Sequence, residues 1–164
     1  MRDMQIKKEV VSVFVQNQAN VLTRVVSLFG RRGYNIDSLT VSATNNPEIS
    51  RITIVFNVTD SSLKQILTQT EKLEVVEDTF VLESENSVYR ELLLVKVEAK
   101  DDNRGKIKEI VEIYRGKIID LSQESMIIEL TGVTEKIDGL LKLLEKYKIL
   151  DVCRTGVTGL SRGN

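Results

Sequence analysis

Hydrophobic positions along this chain change period at regular intervals, and those changes mark out its elements. Residues 9–16, EVVSVFVQ, are β-branched and apolar, which predicts a central strand. Over 20–33 the period becomes helical. Val21, Leu22, Val25, Val26, Leu28 and Phe29 share a face, and Arg24, Arg31 and Arg32 point mainly outward. Asn20 suits the start of that helix as a cap, and Gly33 stands where a helix ends. Residues 35–44 alternate, with Ile36, Leu39, Val41 and Ala43 among polar neighbours. Turn chemistry makes 44–48 a loop around Pro47, the one proline of the chain. Residues 49–58 alternate as its hairpin partner, with Ile52, Ile54, Phe56 and Val58 facing one way. A helix over 61–73 carries Leu63, Ile66, Leu67 and Leu73, and a strand over 75–83 completes the order βαββαβ.

The second half repeats the pattern. A strand at 91–99 precedes a helix at 103–115 with Ile107, Ile110, Val111 and Tyr114. Strands at 117–121 and 126–130 come next, then a helix at 134–147 and a last strand at 149–157. Two βαββαβ units in tandem predict an α+β protein of two ferredoxin-like domains, each an antiparallel sheet with two helices on one face. The polar stretch 83–90, ESENSVYR, suits a linker, so the expected domains are 1–84 and 85–164.

Composition narrows the chemistry. The net charge of −1 gives no electrostatic reason to expect nucleic acid. A single cysteine, Cys153, rules out an intrachain disulfide, and its expected place is buried and inert. The absence of histidine removes the commonest general base and the commonest metal ligand. The N-terminus MRDMQIKKEVV lacks the apolar stretch of a signal peptide, and no run reaches membrane-spanning length. The expectation is a cytoplasmic chain with neither nucleic acid nor membrane as partner.

One stretch, 16–39, holds a candidate binding site. The first backbone N–H groups of a helix beginning near Val21 lack intrahelical partners, and the helix dipole makes that end partly positive. A small carboxylate could dock there. Asn17 and Asn35 flank the helix, and their amides both donate and accept, as an amino-acid zwitterion requires. Val21, Leu22 and Ile36 would surround a short aliphatic side chain. The competing reading is structural: Asn20 only caps, Asn17 only supports a turn, and Asn35 only crosses a left-handed position after Gly33. The second half lacks this constellation, with Ile118 aligned to Asn35. The acidic residues Asp101, Asp102, Glu112 and Asp120 lack calcium-loop spacing. The glycine-rich tail 156–163 precedes no helix, so it is no phosphate loop, and Val157 and Leu160 suit a docking segment.

Taken together, these residues resemble a known family. Asn17, Val21-Leu22, Arg24-Val25, Leu28-Phe29, Arg32-Gly33-Tyr34-Asn35-Ile36 and Ser38-Leu39-Thr40-Val41 carry the likeness first. Ser50 to Ile54, Arg90 to Val97, Gly116 to Asp120 and Arg154 to Gly163 continue it through the whole chain. The sequence is similar to the small regulatory subunits of acetolactate synthase (acetohydroxyacid synthase), whose first domain is an ACT domain. The resemblance implies that 1–84 senses an amino acid and that 85–164 contacts the catalytic subunit. It implies a chain that is not itself catalytic. Thiamine diphosphate, magnesium and FAD would belong to the large catalytic subunit, its partner. It further implies a homodimer through the ACT domains, with valine between them as effector in branched-chain amino acid biosynthesis. The ligand would meet Asn17, Asn20, Val21 and Leu22 of one chain and Asn35 and Ile36 of its mate. The family usually has glycine where Asn20 stands, which predicts weakened or altered valine sensitivity.

Three other functions compete. A free-standing amino-acid sensor would use the same domain, yet no DNA-reading element accompanies it. An RNA-binding protein would share the tandem layout, but Ile52, Ile54, Val95 and Val97 stand where stacking aromatics are expected. A stand-alone enzyme would need an acid–base set that the sequence does not offer.

Overall fold

The computed structural model describes residues 5–163; residues 1–4, which open the N-terminal stretch read above, and Asn164 lie outside them. Two compact units divide the chain. One holds the residues up to Val88 together with those from Val157 onward, and the other is Tyr89–Gly156. The expected bounds are 1–84 and 85–164; the join falls four residues later, after Val88, and the tail groups with the first unit, to which it hydrogen-bonds.

The first unit runs β1 (Lys7–Gln16), α1 (Val21–Arg31), β2 (Ile36–Ala43), β3 (Ile49–Val58), α2 (Asp60–Glu71) and β4 (Val76–Val81). Its sheet has the order β2-β3-β1-β4, and each neighbouring pair is antiparallel. Side chains alternate across a strand. Val11, Val13 and Val15 of β1 therefore share a face with Ile52, Ile54 and Phe56 of β3. They bury against Val25 and Phe29 of α1 and Ile66 of α2. Each such side chain contributes about 1.5–3 kcal/mol through burial.

Three aromatic rings brace one end of this core. Phe29 stands edge-on to Phe56 with centroids 5.0 Å apart, and Tyr34 packs against them at 6.4 and 5.7 Å. The helix ends just before Tyr34. Gly33 adopts φ +77°, a left-handed conformation that glycine enters without a Cβ clash. The N–H of Tyr34 then donates to the carbonyl of Phe29 at 3.1 Å. Held this way, Tyr34 delivers Asn35 and Ile36 to the start of β2.

The opposite face of the first sheet carries Ser12, Phe14, Arg51 and Thr53. An RNA platform would use this face, and the positions expected to carry stacking aromatics do not lie on it: Ile52 and Ile54 are core, as are Val95 and Val97 in the second unit.

The second unit is built from β5 (Ser87–Glu98, whose first two residues fall in the first unit), α3 (Arg104–Ile113), β6 (Lys117–Leu121), β7 (Ser125–Gly132), α4 (Thr134–Leu144) and β8 (Ile149–Arg154). The path β6-β7-β5-β8 repeats that of the first sheet. Leu93, Val95 and Val97 bury against Ile107 of α3 and Ile137 and Leu140 of α4. Glu91, only 4% exposed, accepts two hydrogen bonds from Arg154 Nη2 at 3.1 and 3.0 Å. Arg154 Nη1 donates to Asp138 at 2.7 Å, so one guanidinium joins β5, β8 and α4. Burial opposes the Arg154 charge, yet its bonds to Glu91 and Asp138 outweigh that and raise its pKa above the usual guanidinium value.

Two expectations about the C-terminal end are corrected. The last strand stops at Arg154 rather than continuing to 157, and a separate β9 (Thr158–Ser161) follows. Cys153 is exposed rather than buried. It lies on the outermost strand β8 opposite Leu94, whose neighbours Leu93 and Val95 are the core-facing residues. Among the described residues, no helix is long and apolar enough to cross a membrane.

Candidate functional site

The end of β1 is held by the loop between β2 and β3. The N–H of Asn17 donates to Glu48 O at 2.7 Å, and its side-chain Nδ2 donates to Pro47 O at 3.0 Å. That loop is itself ordered by side chains. Asn46 N–H donates to Thr44 Oγ1 at 3.1 Å, and Glu48 N–H to Asn46 Oδ1 at 3.0 Å. Among the described residues, Asn17 keeps its Oδ1 and one amide hydrogen without a protein partner. By turn chemistry alone, Pro47 and Glu48 read as a plain turn. No local signal linked them to Asn17, because the sheet register brings them there.

Asn20 does not cap α1. Its backbone is left-handed, at φ 67° and ψ 1°, and its side chain makes no bond to the helix. Asparagine tolerates this region better than most residues, which is why a glycine-like turn survives here. The amides of Val21, Leu22 and Thr23 have no partner among the described residues, and the first turn of α1 carries no acid. This leaves an open, partly positive helix end. The two apolar residues behave differently: Val21 is 4% exposed and belongs to the core, whereas Leu22 is 39% exposed. Only the backbone of Val21 is available to a ligand, but Leu22 offers its side chain.

At the start of β2, Asn35 is exposed and its side chain makes no hydrogen bond among the described residues; Ile36 is half-buried. Asn35 is not left-handed; Gly33 takes that role. A bulge follows between Ile36 and Ser38. The nearby acid, Asp37, is engaged with Lys8 at 3.2 Å and with Asn57 at 3.3 Å.

The sheet register separates the two asparagine clusters. Ile36 lies opposite Phe56, and Phe56 lies opposite Glu9. Gln16 is seven residues further along β1, which at the rise of an extended strand is about 23 Å away. Within one chain, Asn17, Asn20 and Leu22 therefore stand at one end of the sheet, and Asn35 and Ile36 at the other. Each cluster therefore stands by itself within the chain. Neither contains an acid–base pair, and among the described residues no three potential metal ligands gather.

The tail, expected as a docking segment, is held by polar contacts that its sequence does not specify. Thr40 Oγ1 donates to Val157 O at 3.1 Å, and the Val157 N–H donates to Ser38 Oγ at 3.3 Å. Arg51 Nη1 donates to Gly159 O at 3.0 Å while its guanidinium lies 4.6 Å over the ring of Phe14. Partial burial lowers the Arg51 pKa below the usual guanidinium value. Of the two apolar tail residues expected to dock, Val157 is buried and Leu160 is 61% exposed. On the helix-free face where RNA would stack, Phe14 is thus covered by Arg51, and Arg51 is bonded to the chain's own end.

Comparison with known proteins follows the same division. Residues 11–78 match the family described as the AHAS small subunit-like ACT domain, and residues 90–163 match the small subunit of acetolactate synthase. The acetolactate synthase small subunit of Mycolicibacterium smegmatis is 48% identical over 93% of this chain and 90% of its own length. A probable acetolactate synthase small subunit of Archaeoglobus fulgidus is 42% identical over 96% of this chain and 98% of its own. The crystal structure of the small subunit from Thermotoga maritima superposes with a TM-score of 0.89 at 38% identity, covering 96% of this chain and 99% of that one.

Proposed function

This chain belongs to the family of acetolactate synthase small subunits, and from that premise we propose that it binds valine and controls a catalytic large subunit. It is a regulatory subunit and not a catalyst alone. Bound to its partner it raises the rate of acetolactate formation, and valine reverses that effect. Valine binds between the ACT domains of two copies of the chain. Asn17, Asn20, Val21 and Leu22 of one copy meet Asn35 and Ile36 of the other.

The observation that carries this reading is the separation of the two clusters. About 23 Å of strand lies between them in one chain, so a ligand of amino-acid size cannot touch both. A twofold-related copy brings the start of one β2 to the helix end of the other and makes two equal sites. The chemistry of the halves agrees. Free amides at the start of α1 suit the carboxylate, asparagine oxygens suit the ammonium group, and Leu22 with Ile36 suits a short branched side chain.

The test is acetolactate formation by the cognate catalytic subunit, with and without this chain, across a valine titration. Activation followed by inhibition supports both parts of the reading. Activation without inhibition keeps the partner and removes valine. No activation at any ratio removes the partner and returns the free-standing amino-acid sensor.

A further inference from the structure

The tail from Val157 to Ser161 has no task in the site described above, yet it is fixed more firmly than a chain end requires. Val157 is buried, and both its backbone groups bond to side chains of β2. Gly159 is buried and bonded to Arg51, itself stacked on Phe14. Further on, the N–H of Arg162 donates to the carbonyl of Asn86 at 2.7 Å. Ser38 and Thr40 are two residues apart and so lie on one face of β2, the face away from the helices.

The position of these anchors matters. β2 is an edge strand, hydrogen-bonded to β3 on one side alone. Asn35 and Ile36 stand at its start, and the bulge between Ile36 and Ser38 is all that separates them from the first anchor. A ligand at Asn35 and Ile36 would act two residues from Ser38, whose Oγ accepts from the Val157 N–H. The chain enters the tail through Gly156, whose φ of +81° is a conformation that glycine adopts without strain. Gly156 is the residue at which the second unit passes into the tail.

We propose that the tail is a strap whose docking on Ser38, Thr40 and Arg51 is linked to occupancy of the ligand half-site at Asn35 and Ile36. The inference rests on the valine reading of that half-site. A bound ligand stabilises the docked strap, and by reciprocity the docked strap raises affinity for the ligand by the same factor. Strap docking thereby reports the state of the half-site to the chain beyond Gly156.

The test uses the full chain and two readouts: valine binding by calorimetry, and hydrogen exchange at the strap amides of Val157 and Arg162. Saturating valine is expected to slow exchange at both amides at least fivefold, and to leave the core strand amides near Val13 and Ile52 unchanged. Thr40→Val removes the hydroxyl and keeps the branched shape; it is expected to weaken valine binding about fivefold, in line with ordinary coupling energies. Thr40→Ser keeps the hydroxyl and is expected to restore affinity. If valine binds the native chain but strap exchange does not move, and Thr40→Val binds it equally well, the strap proposal is overturned and the site reading stands. If the native chain binds no valine, the site reading fails and the linkage fails with it.

Discussion

The side-chain amide of Asn17 donates to the carbonyl of Pro47, 3.0 Å away, and so fixes the end of β1 against the loop that closes the β2–β3 hairpin. This contact spends one of the two amide hydrogens and leaves the rest of the group facing solvent. Asn17→Ala is expected to lower stability by less than about 1 kcal/mol, because the group is exposed and its backbone bond to Glu48 persists. Valine affinity is expected to fall about tenfold, equivalent to about 1.4 kcal/mol. Calorimetric titration beside a thermal melt separates the two effects. A loss of stability with unchanged affinity would make Asn17 a turn residue and nothing more.

Asn20 raises the opposite expectation. Its φ of 67° is a conformation in which an ordinary residue loses about 1–2 kcal/mol, and asparagine loses less. Asn20→Gly is expected to change stability by under about 1 kcal/mol, since relief of that strain is offset by the extra freedom of unfolded glycine. It also clears the side chain from the open end of α1. Valine should then bind about tenfold more tightly, which a direct titration of native and variant chains would detect. Equal affinities would show that the asparagine side chain does not hinder the ligand.

Arg154 provides a test confined to the second unit. Arg154→Met leaves Glu91 with a carboxylate that is 4% exposed and has lost its paired charge. Removing one partner of a fully buried pair costs about 3–5 kcal/mol. Arg154 is itself partly exposed, so a loss of about 2–3 kcal/mol is expected here. Denaturant unfolding followed in the variant should show it. The double variant Arg154→Met with Glu91→Gln should recover part of the loss, since the buried charge is then gone.

Cys153 is predicted to react with an aromatic disulfide reagent in the folded chain, at a rate close to that of the denatured chain. Its exposure on β8 provides the access. Protection by tenfold or more in the native state would show that another molecule covers this strand in solution.

Much of the fold was legible because its signals are local. The switch from alternation at 9–16 to helical spacing at 20–33 places β1 and α1 within a residue or two of where they stand. The repeat of that order places the second unit, and turn chemistry places the loop at Pro47. Gly33 announces the left-handed stop that precedes Tyr34. The two clusters around Asn17 and Asn35 were likewise visible as segments.

Their separation was implied by the family resemblance but was not visible in any local pattern. Helix α1 is short, and adjacency in sequence makes its two ends look like one site; only the pairing of Ile36 with Phe56, and of Phe56 with Glu9, sets them apart. The cap expected of Asn20 failed for a related reason, since φ at that residue is set by the path from β1 into α1. The strap, the stacking of Arg51 on Phe14 and the exposure of Cys153 all depend on which strand lies at an edge and which face is left uncovered.

The sequence by itself determined which residues alternate, which follow a helical period and where the chain turns, because those preferences act within a few residues. Tertiary structure decided how far apart Asn17 and Asn35 stand along the sheet and that the tail returns to β2. The tail contacts join residues more than a hundred positions apart and the sheet register joins residues tens of positions apart, and no local preference encodes either.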